Sequence, residues 1–394
     1  MDAVTTELAK FIYTEEYSQY DFGATHPFNP VRLRSTKSLI DSLDLVRPDQ
    51  LMAPGPASAE ELGWAHQASY IAMVQQFLTA ADITNATLLS RAALYGLGTE
   101  DDPVFPGMHD AARLAVGGTL AAAKEIASGS ASHALNLAGG LHHAKAAQAS
   151  GFCIYNDLTV AIKWLRAHTD WRIAYVDTDA HHGDGVQQAF YDDPDVLTIS
   201  FHETGQYLFP GTGSAEETGT GRGKGYAINV PLRPYTDDHS WLECIERIVP
   251  SALQRFQPDI LISQHGCDGH YWDPLTDLFA TTYFYWKVPS LIHQWAHAYA
   301  HDRWLAVGGG GYEIWRVVPR AWTLLWAEMA HRPLAQDAAV PPSWIAQWQS
   351  YSAPPLPLEF VDNPAAFPPV AQSFAIAQQN RETVDRLKHL ISWL

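Results

Sequence analysis

Short runs of β-branched and apolar residues alternate with helix-like segments along the middle of the chain, from about residue 130 to residue 330. This alternation predicts repeated strand–helix–strand units, which build an α/β fold with a mainly parallel central sheet flanked by helices. In such sheets ligands bind outside the carboxyl ends of the strands, so we predict a functional site there. The predicted strands are 133–138, 172–177, 196–201, 226–231, 259–264 and 304–308. The predicted helices of this region are 156–167, 185–191, 237–256, 284–302 and 314–330.

The two ends of the chain have a different character. Before residue 130 the pattern favours helices, best at 35–46, 59–78 and 108–128. Nine of the 25 prolines fall between residues 333 and 369, a density that excludes a regular helix or a central strand. We therefore predict one large domain over residues 1–332 and a Pro-rich extension over 333–394.

The extension is expected to be ordered rather than a flexible linker. Four of its aromatic side chains need burial, which predicts that it wraps over the main domain; these are Trp344, Trp348, Tyr351 and Phe360. Its end, 381–394, has the apolar spacing of an amphipathic helix, which should dock on the core or on a partner subunit. The apolar positions are Val384, Leu387, Ile391 and Leu394.

Composition excludes several classes of protein. With 25 Lys and Arg against 43 Asp and Glu, the net charge of −18 argues against binding nucleic acid and favours cationic or neutral ligands. We find no apolar run long enough for a transmembrane helix and no signal-peptide pattern. The three cysteines are odd in number and far apart, which indicates a reducing compartment, and we expect a cytoplasmic protein. Eighteen histidines are unusually many for such a chain.

The strongest functional pattern follows the predicted strand 172–177. Asp179 and His181 are two residues apart, so in an extended segment their side chains share a face. One carboxylate and one imidazole supply two of the three protein ligands of a zinc site with an open position. A turn and a helix N-cap would account for Asp184 and Gly185, but not for the adjacent His181 and His182.

The predicted strand 259–264 ends in a similar way and can provide the third ligand. Asp268 is our candidate. His265 and His270 compete with it, and the thiol of Cys267 is soft enough to bind zinc, although a lone cysteine is more often a small buried hydrophobe.

A pair of histidines, His142 and His143, follows the predicted strand 133–138 and two glycines. A histidine that acts as a base needs a carboxylate to fix its tautomer and orientation. Asp177 and Asp184 are available for this purpose.

Four glycines and Tyr312 follow the predicted strand 304–308. The run lacks the lysine of a phosphate loop and the spaced glycines of a dinucleotide site, so it is weak evidence for a nucleotide. A tyrosine hydroxyl at this position can instead donate a hydrogen bond to a developing oxyanion.

Together these segments resemble the arginase/deacetylase superfamily and, within it, the zinc-dependent histone deacetylase family. Their order and spacing agree with that family over roughly residues 11–330. The matching stretches are GGLHHAK (139–145), SGFCIYND (150–157), YVDTDAHHGDG (175–185), FPGTG (209–213), QHGCDGHYWDPLT (264–276) and GGGGY (308–312). HPFNPVRLR (26–34) and GLGTEDDPVF (96–105) are most similar to the bacterial acetoin-utilisation branch.

The resemblance implies a catalytic zinc ion, or iron(II) in the cell, held by Asp179, His181 and Asp268. The position two residues after Asp268 is His270, where binuclear relatives need another carboxylate, so a single catalytic metal is favoured. A structural potassium ion is implied as well. Its implied ligands come from Asp177, Asp179, His181, Ser200 and Phe201.

The resemblance also implies a catalytic set and a substrate tunnel. Asp177 would pair with His142 and Asp184 with His143, with Tyr312 as the transition-state donor. The implied substrate-binding residues are Gly151, Phe152 and Phe209 in the tunnel and Asp101 at its rim, and Arg34 is implied near the channel through which acetate leaves.

The implied activity is removal of acetyl groups from lysine side chains of proteins by a catalytic domain at 1–332. One alternative is deacetylation of small amines such as acetylpolyamines, although no obvious insertion that would narrow the rim lies between Ile83 and Pro106. A less favoured alternative is a module that binds acyl-lysine without turnover. The expected partner is an acetylated protein or small amine, with no nucleic acid and no membrane, and the oligomeric state stays open, a homodimer being one option.

Overall fold

Eight parallel strands form the centre of the molecule in the computed structural model, which describes residues 8–394. The strands are β1 Ala9–Ile12, β2 Leu51–Met52, β3 His133–Asn136, β4 Ile173–Asp177, β5 Val196–Glu203, β6 Ala227–Leu232, β7 Ile260–Gln264 and β8 Trp304–Val307. Their order in the sheet is β2-β1-β3-β8-β7-β4-β5-β6. The predicted α/β fold with a parallel central sheet is confirmed.

Helices cover both faces of this sheet. Within the described residues they are α1 Val31–Ser42, α2 Ala59–Leu62, α3 Ala68–Val74, α4 Ala86–Ala92, α5 Met108–Ala127, α6 Asp157–His168, α7 Asp184–Ala189, α8 Asp238–Phe256, α9 Thr282–Tyr299, α10 Val318–Met329, α11 Pro342–Trp348 and α12 Ser373–Leu390. No helix in this part of the chain is both long enough and apolar enough to cross a membrane.

Successive side chains of the strands pack alternately in two apolar cores, one on each face of the sheet. Ala174 and Val176 of β4 pack in the cluster that includes α8, α9 and α10, whereas Ile173 and Tyr175 pack in the cluster that includes α5 and α6. This is the two-residue period of a strand that is buried on both faces.

The strand register aligns the carboxyl ends of the central strands. Asn136 of β3 pairs with Val307 of β8, and Val307 pairs with Gln264 of β7. Asp177 of β4 in turn lies between Gln264 and Ser200 of β5. The loops that follow β3, β8, β7 and β4 therefore leave the sheet side by side.

Several predicted elements differ from the structure. The strands β1 and β2 lie in the region where we predicted only helices. The single helix predicted over 59–78 is two helices, because α2 starts at a capping box of Ser58 and Glu61 and ends at Gly63. In the Pro-rich segment, α11 forms although we excluded a helix there, because Pro342 occupies its first position, where a missing N–H costs nothing.

The Pro-rich segment packs against α1 and α10. Trp344, Trp348 and Phe360 are buried in a cluster with Leu39 and Leu324. Tyr351 was expected to be buried and is instead 64% exposed. Its ring stacks on Trp315 at the surface.

The last helix docks on the body of the molecule. Val384, Leu387 and Ile391 are buried against the main core, beside β6 and α8. The helix begins at Ser373, earlier than predicted, and ends before Leu394.

Candidate active site

Three potential metal ligands meet at the carboxyl edge of the sheet. Asp179 and His181 lie in the loop after β4, and Asp268 lies in the loop after β7. His181 Nδ1 is 2.8 Å from Asp268 Oδ2 and 3.2 Å from Asp179 Oδ1. All three side chains are buried, and one ligand atom from each lies within 4.8 Å of the others. These are the three residues predicted to hold the metal.

Glycines allow the surrounding backbone to approach the two carboxylates. A Cβ atom on Gly310 would clash with Asp268, and one on Gly266 would clash with Asp179. The amide of Gly310 donates to Asp179 Oδ2 at 2.6 Å, and the amide of Ala180 donates to Asp268 Oδ1 at 2.9 Å. The glycine run after β8 therefore contacts these carboxylates.

The charges of this cluster suit a bound cation. Burial lowers the pKa of His181, but hydrogen bonds to Asp179 and Asp268 outweigh it and raise that pKa to about 10. Burial and the charge of Asp179 raise the pKa of Asp268 to about 6. The carboxylates of Asp179 and Asp268 are buried and close enough to contact the same imidazole, so they repel each other. A shared cation relieves that repulsion. One imidazole and two carboxylates form a donor set that zinc and iron(II) accept.

Two histidine–aspartate pairs lie beside the cluster. His142 Nδ1 is hydrogen-bonded to Asp177 Oδ2 and His143 Nδ1 to Asp184 Oδ1, each at 2.8 Å. The Nε2 atoms of the two histidines are 3.0 Å apart.

The environments of the two imidazoles drive their pKa values apart. Burial and the neighbouring His142 lower the pKa of His143 to about 3. Burial acts on His142 as well, but the carboxylates of Asp177 and Asp179 outweigh it and raise its pKa to about 9. A neutral imidazole beside a protonated one can divide the roles of base and electrostatic stabiliser.

Three further polar residues belong to this network and were missed in the sequence. Gln264 Nε2 lies 2.9 Å from His142 Nδ1 and donates to Asp179 Oδ2 at 3.2 Å. The hydroxyl of Tyr175 donates to Asp177 at 2.6 Å, and Lys145 forms an ion pair with Asp184 at 3.0 Å. Gln264 could have been identified from the sequence, because it is the last residue of a buried strand and directly precedes the loop that carries Asp268.

Aromatic rings flank the approach to the cluster. The ring of Phe209 is 5.0 Å from that of His143, and the ring of Phe152 is 5.7 Å from that of Tyr312. Phe152 has a φ of 69°, which is uncommon for a residue with a side chain. At Gly151 a Cβ atom would lie 2.5 Å from the His143 ring, so only glycine leaves room there.

Asp101 lies at the outer edge of this aromatic wall. Its side chain is exposed, and its carbonyl oxygen accepts a hydrogen bond from His26 Nε2 at 3.3 Å. The ring of His26 in turn packs on Phe152 at 4.6 Å. The residue therefore occupies a rim position, next to the aromatic residues.

The competing ligand candidates after β7 have other contacts. His265 Nε2 is 2.8 Å from the hydroxyl of Ser263, and His270 pairs with Asp362 at 2.9 Å. Cys267 is fully buried beside the carbonyl of Gly310.

A family model described as a histone deacetylase domain matches residues 26–329, more than half of the chain. The chain belongs to the histone deacetylase family. This confirms the predicted family, whose members are deacetylase hydrolases.

Relatives of the chain in this family are acetoin utilization proteins AcuC. The protein of Bacillus subtilis (strain 168) is 47% identical over 381 residues, which cover 97% of both chains. That of Staphylococcus aureus (strain MRSA252) is 38% identical over 385 residues, covering 97% of this chain and 96% of the relative. The predicted likeness to the acetoin-utilisation branch is confirmed.

Solved structures of the family share the fold. An HDAC homolog from Aquifex aeolicus is 28% identical, with a TM-score of 0.80 over 96% of this chain and 99% of its own. An HDAC homolog complexed with SAHA is 29% identical, with a TM-score of 0.81 over the same shares of the two chains.

One residue implied by the histone deacetylase resemblance does not lie where it was expected. Arg34, expected near the acetate channel, is exposed on the outer face of α1. Arg32 faces inward instead, because residues two apart on a helix point to nearly opposite sides. It is 3% exposed, and its Nη1 donates to the carbonyl oxygens of Gly309 and Gly311. It also lines an internal cavity of about 10 Å³ together with Tyr20.

The residues implied to bind potassium are adjacent at the ends of β4 and β5. Asp177 and Ser200 are register partners, and Phe201 follows Ser200. The Ser200 hydroxyl is 2.8 Å from His202 Nδ1, and Asp177 Oδ1 accepts the amide of Asp179. Cation binding by this set stays a prediction.

Proposed function

We propose that this chain is a zinc-dependent amidohydrolase that removes acetyl groups from lysine side chains of proteins. The observation that carries the proposal is the buried cluster of Asp179, His181 and Asp268 beside two histidines with opposite pKa shifts. Membership of the histone deacetylase family supports the same reaction.

Asp179, His181 and Asp268 would hold the metal, as zinc or alternatively as iron(II). A zinc ion bound there would supply Lewis acidity, which polarises the acetyl carbonyl and makes water easier to deprotonate near neutral pH. Potassium near Asp177 and Ser200 is a further part of the proposal.

His143 is the proposed general base. Its lowered pKa keeps the ring neutral, and Asp184 holds Nδ1, so that Nε2 can accept a proton from the attacking water. The same histidine returns the proton to the lysine nitrogen as the C–N bond breaks. The products are acetate and a free lysine amine.

His142 and Tyr312 stabilise the charge that develops on the carbonyl oxygen. The raised pKa of His142 keeps it protonated, so it contributes a positive charge. Burial, with the charges of Asp268 and Asp179, raises the pKa of Tyr312 well above its usual value. The hydroxyl therefore keeps its proton and can donate it in a hydrogen bond to the oxyanion.

An extended acyl-lysine chain suits the approach between Phe152 and Phe209, because its aliphatic part contacts aromatic rings on the way to the buried metal ligands. Asp101 at the rim would bind the substrate backbone. The net charge of −18 favours cationic peptides. The name of the relatives leads us to place the activity in acetoin utilization, and three free, buried cysteines support a cytoplasmic setting.

We assign the reaction to a catalytic domain at residues 1–332, with residues 333–394 as an extension. The family match over 26–329 supports this division.

A fluorogenic acetyl-lysine peptide assay, with and without chelator, tests the proposal. We expect turnover that the chelator abolishes and added zinc restores. A panel of longer acyl chains and an acetylpolyamine decides the substrate class. Faster turnover of the acetylpolyamine would contradict the protein-lysine assignment.

Asp268→Ala tests the metal ligands separately. The variant should lose one equivalent of zinc by elemental analysis, whereas Asp101→Ala at the rim should retain it. An unchanged zinc content in Asp268→Ala would point to His265, Cys267 or His270 instead.

A further inference from the structure

Four histidines meet at the opposite end of the sheet from the active site. His133 is the first residue of β3, so it lies at the amino edge of the strands. His293 and His297 are one turn apart on α9, and His331 lies two residues after the end of α10. We call these four residues the histidine cluster. None of them takes part in the reaction proposed above.

Three members of the cluster are arranged around a common point. One ring nitrogen from each of His133, His293 and His331 lies within 4.8 Å of the others. The ring centroids are 4.8 Å apart for His133 and His293, 5.1 Å for His133 and His331, and 4.7 Å for His293 and His331. Nitrogens bound to one tetrahedral zinc ion are about 3.4 Å apart, so small rotations of the rings would complete a site.

Two of the rings make the kind of hydrogen bond through Nδ1 that orients metal-binding histidines. His133 Nδ1 is hydrogen-bonded to the carbonyl of Met329 at 3.2 Å, and His293 Nδ1 is hydrogen-bonded to Glu328 at 2.9 Å. Such contacts fix the tautomer and leave Nε2 as the ligand atom. In both residues Nε2 is buried and has no hydrogen-bond partner within residues 8–394. These two nitrogens therefore lack the partner that buried polar atoms normally have.

Electrostatic repulsion within the histidine cluster favours binding of one metal ion over protonation of every imidazole. Imidazoles this close together cannot all be protonated, because like charges repel. Burial and the neighbouring His293 lower the pKa of His133 to about 3, although its bond to Met329 acts the other way. Neutral imidazole is the form that binds metals.

His331 gives the cluster access to solvent. It is exposed, whereas His133 and His293 are buried. Its φ of 56° places it in the left-handed region, and its amide donates to the carbonyl of Glu328. This turn directs the chain back toward the other rings.

We propose that His133, His293 and His331 form a second metal site, which binds one divalent transition ion of the zinc, nickel or copper class. Three imidazoles are the donor set that these ions prefer. His297 lies beside the site, with its ring 4.7 Å from that of His293 and its Nδ1 hydrogen-bonded to Asp302 at 2.6 Å. The ion would tie the start of β3 to α9 and to the end of α10.

Zinc stoichiometry tests this site without any measurement of activity. The untagged full chain is stripped with chelator, reloaded with zinc chloride, desalted and analysed by elemental mass spectrometry. We expect two zinc ions per wild-type chain and one in His331→Asn. Asparagine is chosen because it tolerates the left-handed backbone at this position.

His301→Asn is the matched control. His301 is also exposed and has a φ of 52°, but it lies outside the cluster. This variant should keep two zinc ions. If wild type bound one zinc ion and His331→Asn kept it, the second site would be refuted.

Thermal unfolding of Asp268→Ala isolates the second site from the first. Zinc should raise the midpoint of this variant, and the added change His331→Asn should remove that shift. Should His331→Asn fail to fold by circular dichroism, the zinc content of Asp268→Ala decides alone. One remaining zinc ion supports the site, and none overturns it.

Discussion

Arg32 is a buried cation that binds the run of glycines preceding Tyr312 in the chain. Its guanidinium donates to the carbonyl oxygens of Gly309 and Gly311 and lies 4.1 Å from the ring centroid of Phe28. A charge this deeply buried persists only where such groups replace its hydration. The residue therefore fixes the backbone from which the proposed oxyanion donor projects.

Arg32→Met should lower the free energy of unfolding by roughly 2 kcal/mol or more, because it leaves buried carbonyl groups unsatisfied. Arg34→Met on the exposed face of the same helix should change it by less than about 0.5 kcal/mol. Urea unfolding of both variants measures the difference. Equal losses would refute the inward role of Arg32.

Tyr312→Phe removes one hydroxyl from the site and keeps the ring that packs on Phe152. Loss of an oxyanion donor typically costs about 2.7–4 kcal/mol of transition-state stabilisation, so kcat should fall roughly a hundredfold or more. Steady-state assays on the acetyl-lysine peptide, with Tyr351→Phe at the surface as control, measure this. Near-full activity of Tyr312→Phe would exclude the oxyanion role.

At the scale of elements, the start of α6 supports the loop that carries the two active-site histidines. Asn156 caps the helix, and its side-chain amide donates to the carbonyl oxygens of His142 and Ala144. The backbone amide of Asn156 donates to His66 Nε2 at 2.9 Å. The neutral form of His66 is therefore part of the support of this loop.

Acid should weaken this support. Burial lowers the pKa of His66 from 6.5 to about 4, so the folded protein binds this proton less readily than the unfolded chain does. Its contribution is complete above pH 6.5 and is lost as the pH falls toward 4, by about 2 kcal/mol at pH 5. His66→Gln should reduce the acid sensitivity of urea unfolding by that amount. His168→Gln, exposed on α6, should leave it unchanged; an equal effect of both would contradict the assignment.

The sequence predicted those elements whose signals are local. Buried strands such as β4 and β7 are continuous apolar runs that end in polar residues, and Asn156 is recognisable as a cap. The strands β1 and β2 have four and two residues, too few to show a period, and only their pairing defines them.

The same limit applies to the candidate site. The metal ligands Asp179 and His181 are neighbours in sequence, so their spacing was informative. Gln264 and Arg32 act through partners 122 and 277 residues away, and no local pattern encodes such contacts. The choice between Arg32 and Arg34 depends on which face of α1 meets the core.

At the scale of the whole molecule, Asp362 connects the Pro-rich segment to the body of the protein. Its carboxylate pairs with Arg320 at 2.7 Å and with His270 at 2.9 Å, and it accepts the amide of Thr282. Burial raises the pKa of this carboxyl, but the hydrogen bond with His270 and the charge of Arg320 outweigh it and hold that pKa well below its usual range. The segment thus neutralises a cation buried in the main domain.

Asp362→Ala should destabilise the protein by about 3–5 kcal/mol, since it leaves the Arg320 charge buried without its partner. Asp385→Ala removes an exposed pair with Arg247 and should cost less than about 1 kcal/mol. Denaturant unfolding compares the two. A small loss in Asp362→Ala would show that the segment is held by its apolar contacts alone.

The strand order has a consequence for synthesis of the chain on the ribosome. The strand β8 is the last to be made, yet it lies in the middle of the sheet, between β3 and β7. Until residues 304–307 have emerged, β1–β3 and β4–β7 are two half-sheets, each with an open edge at the future centre. Open apolar edges promote association between chains. A nascent chain that pauses before Trp304 would therefore be most exposed to aggregation just before its active site can form.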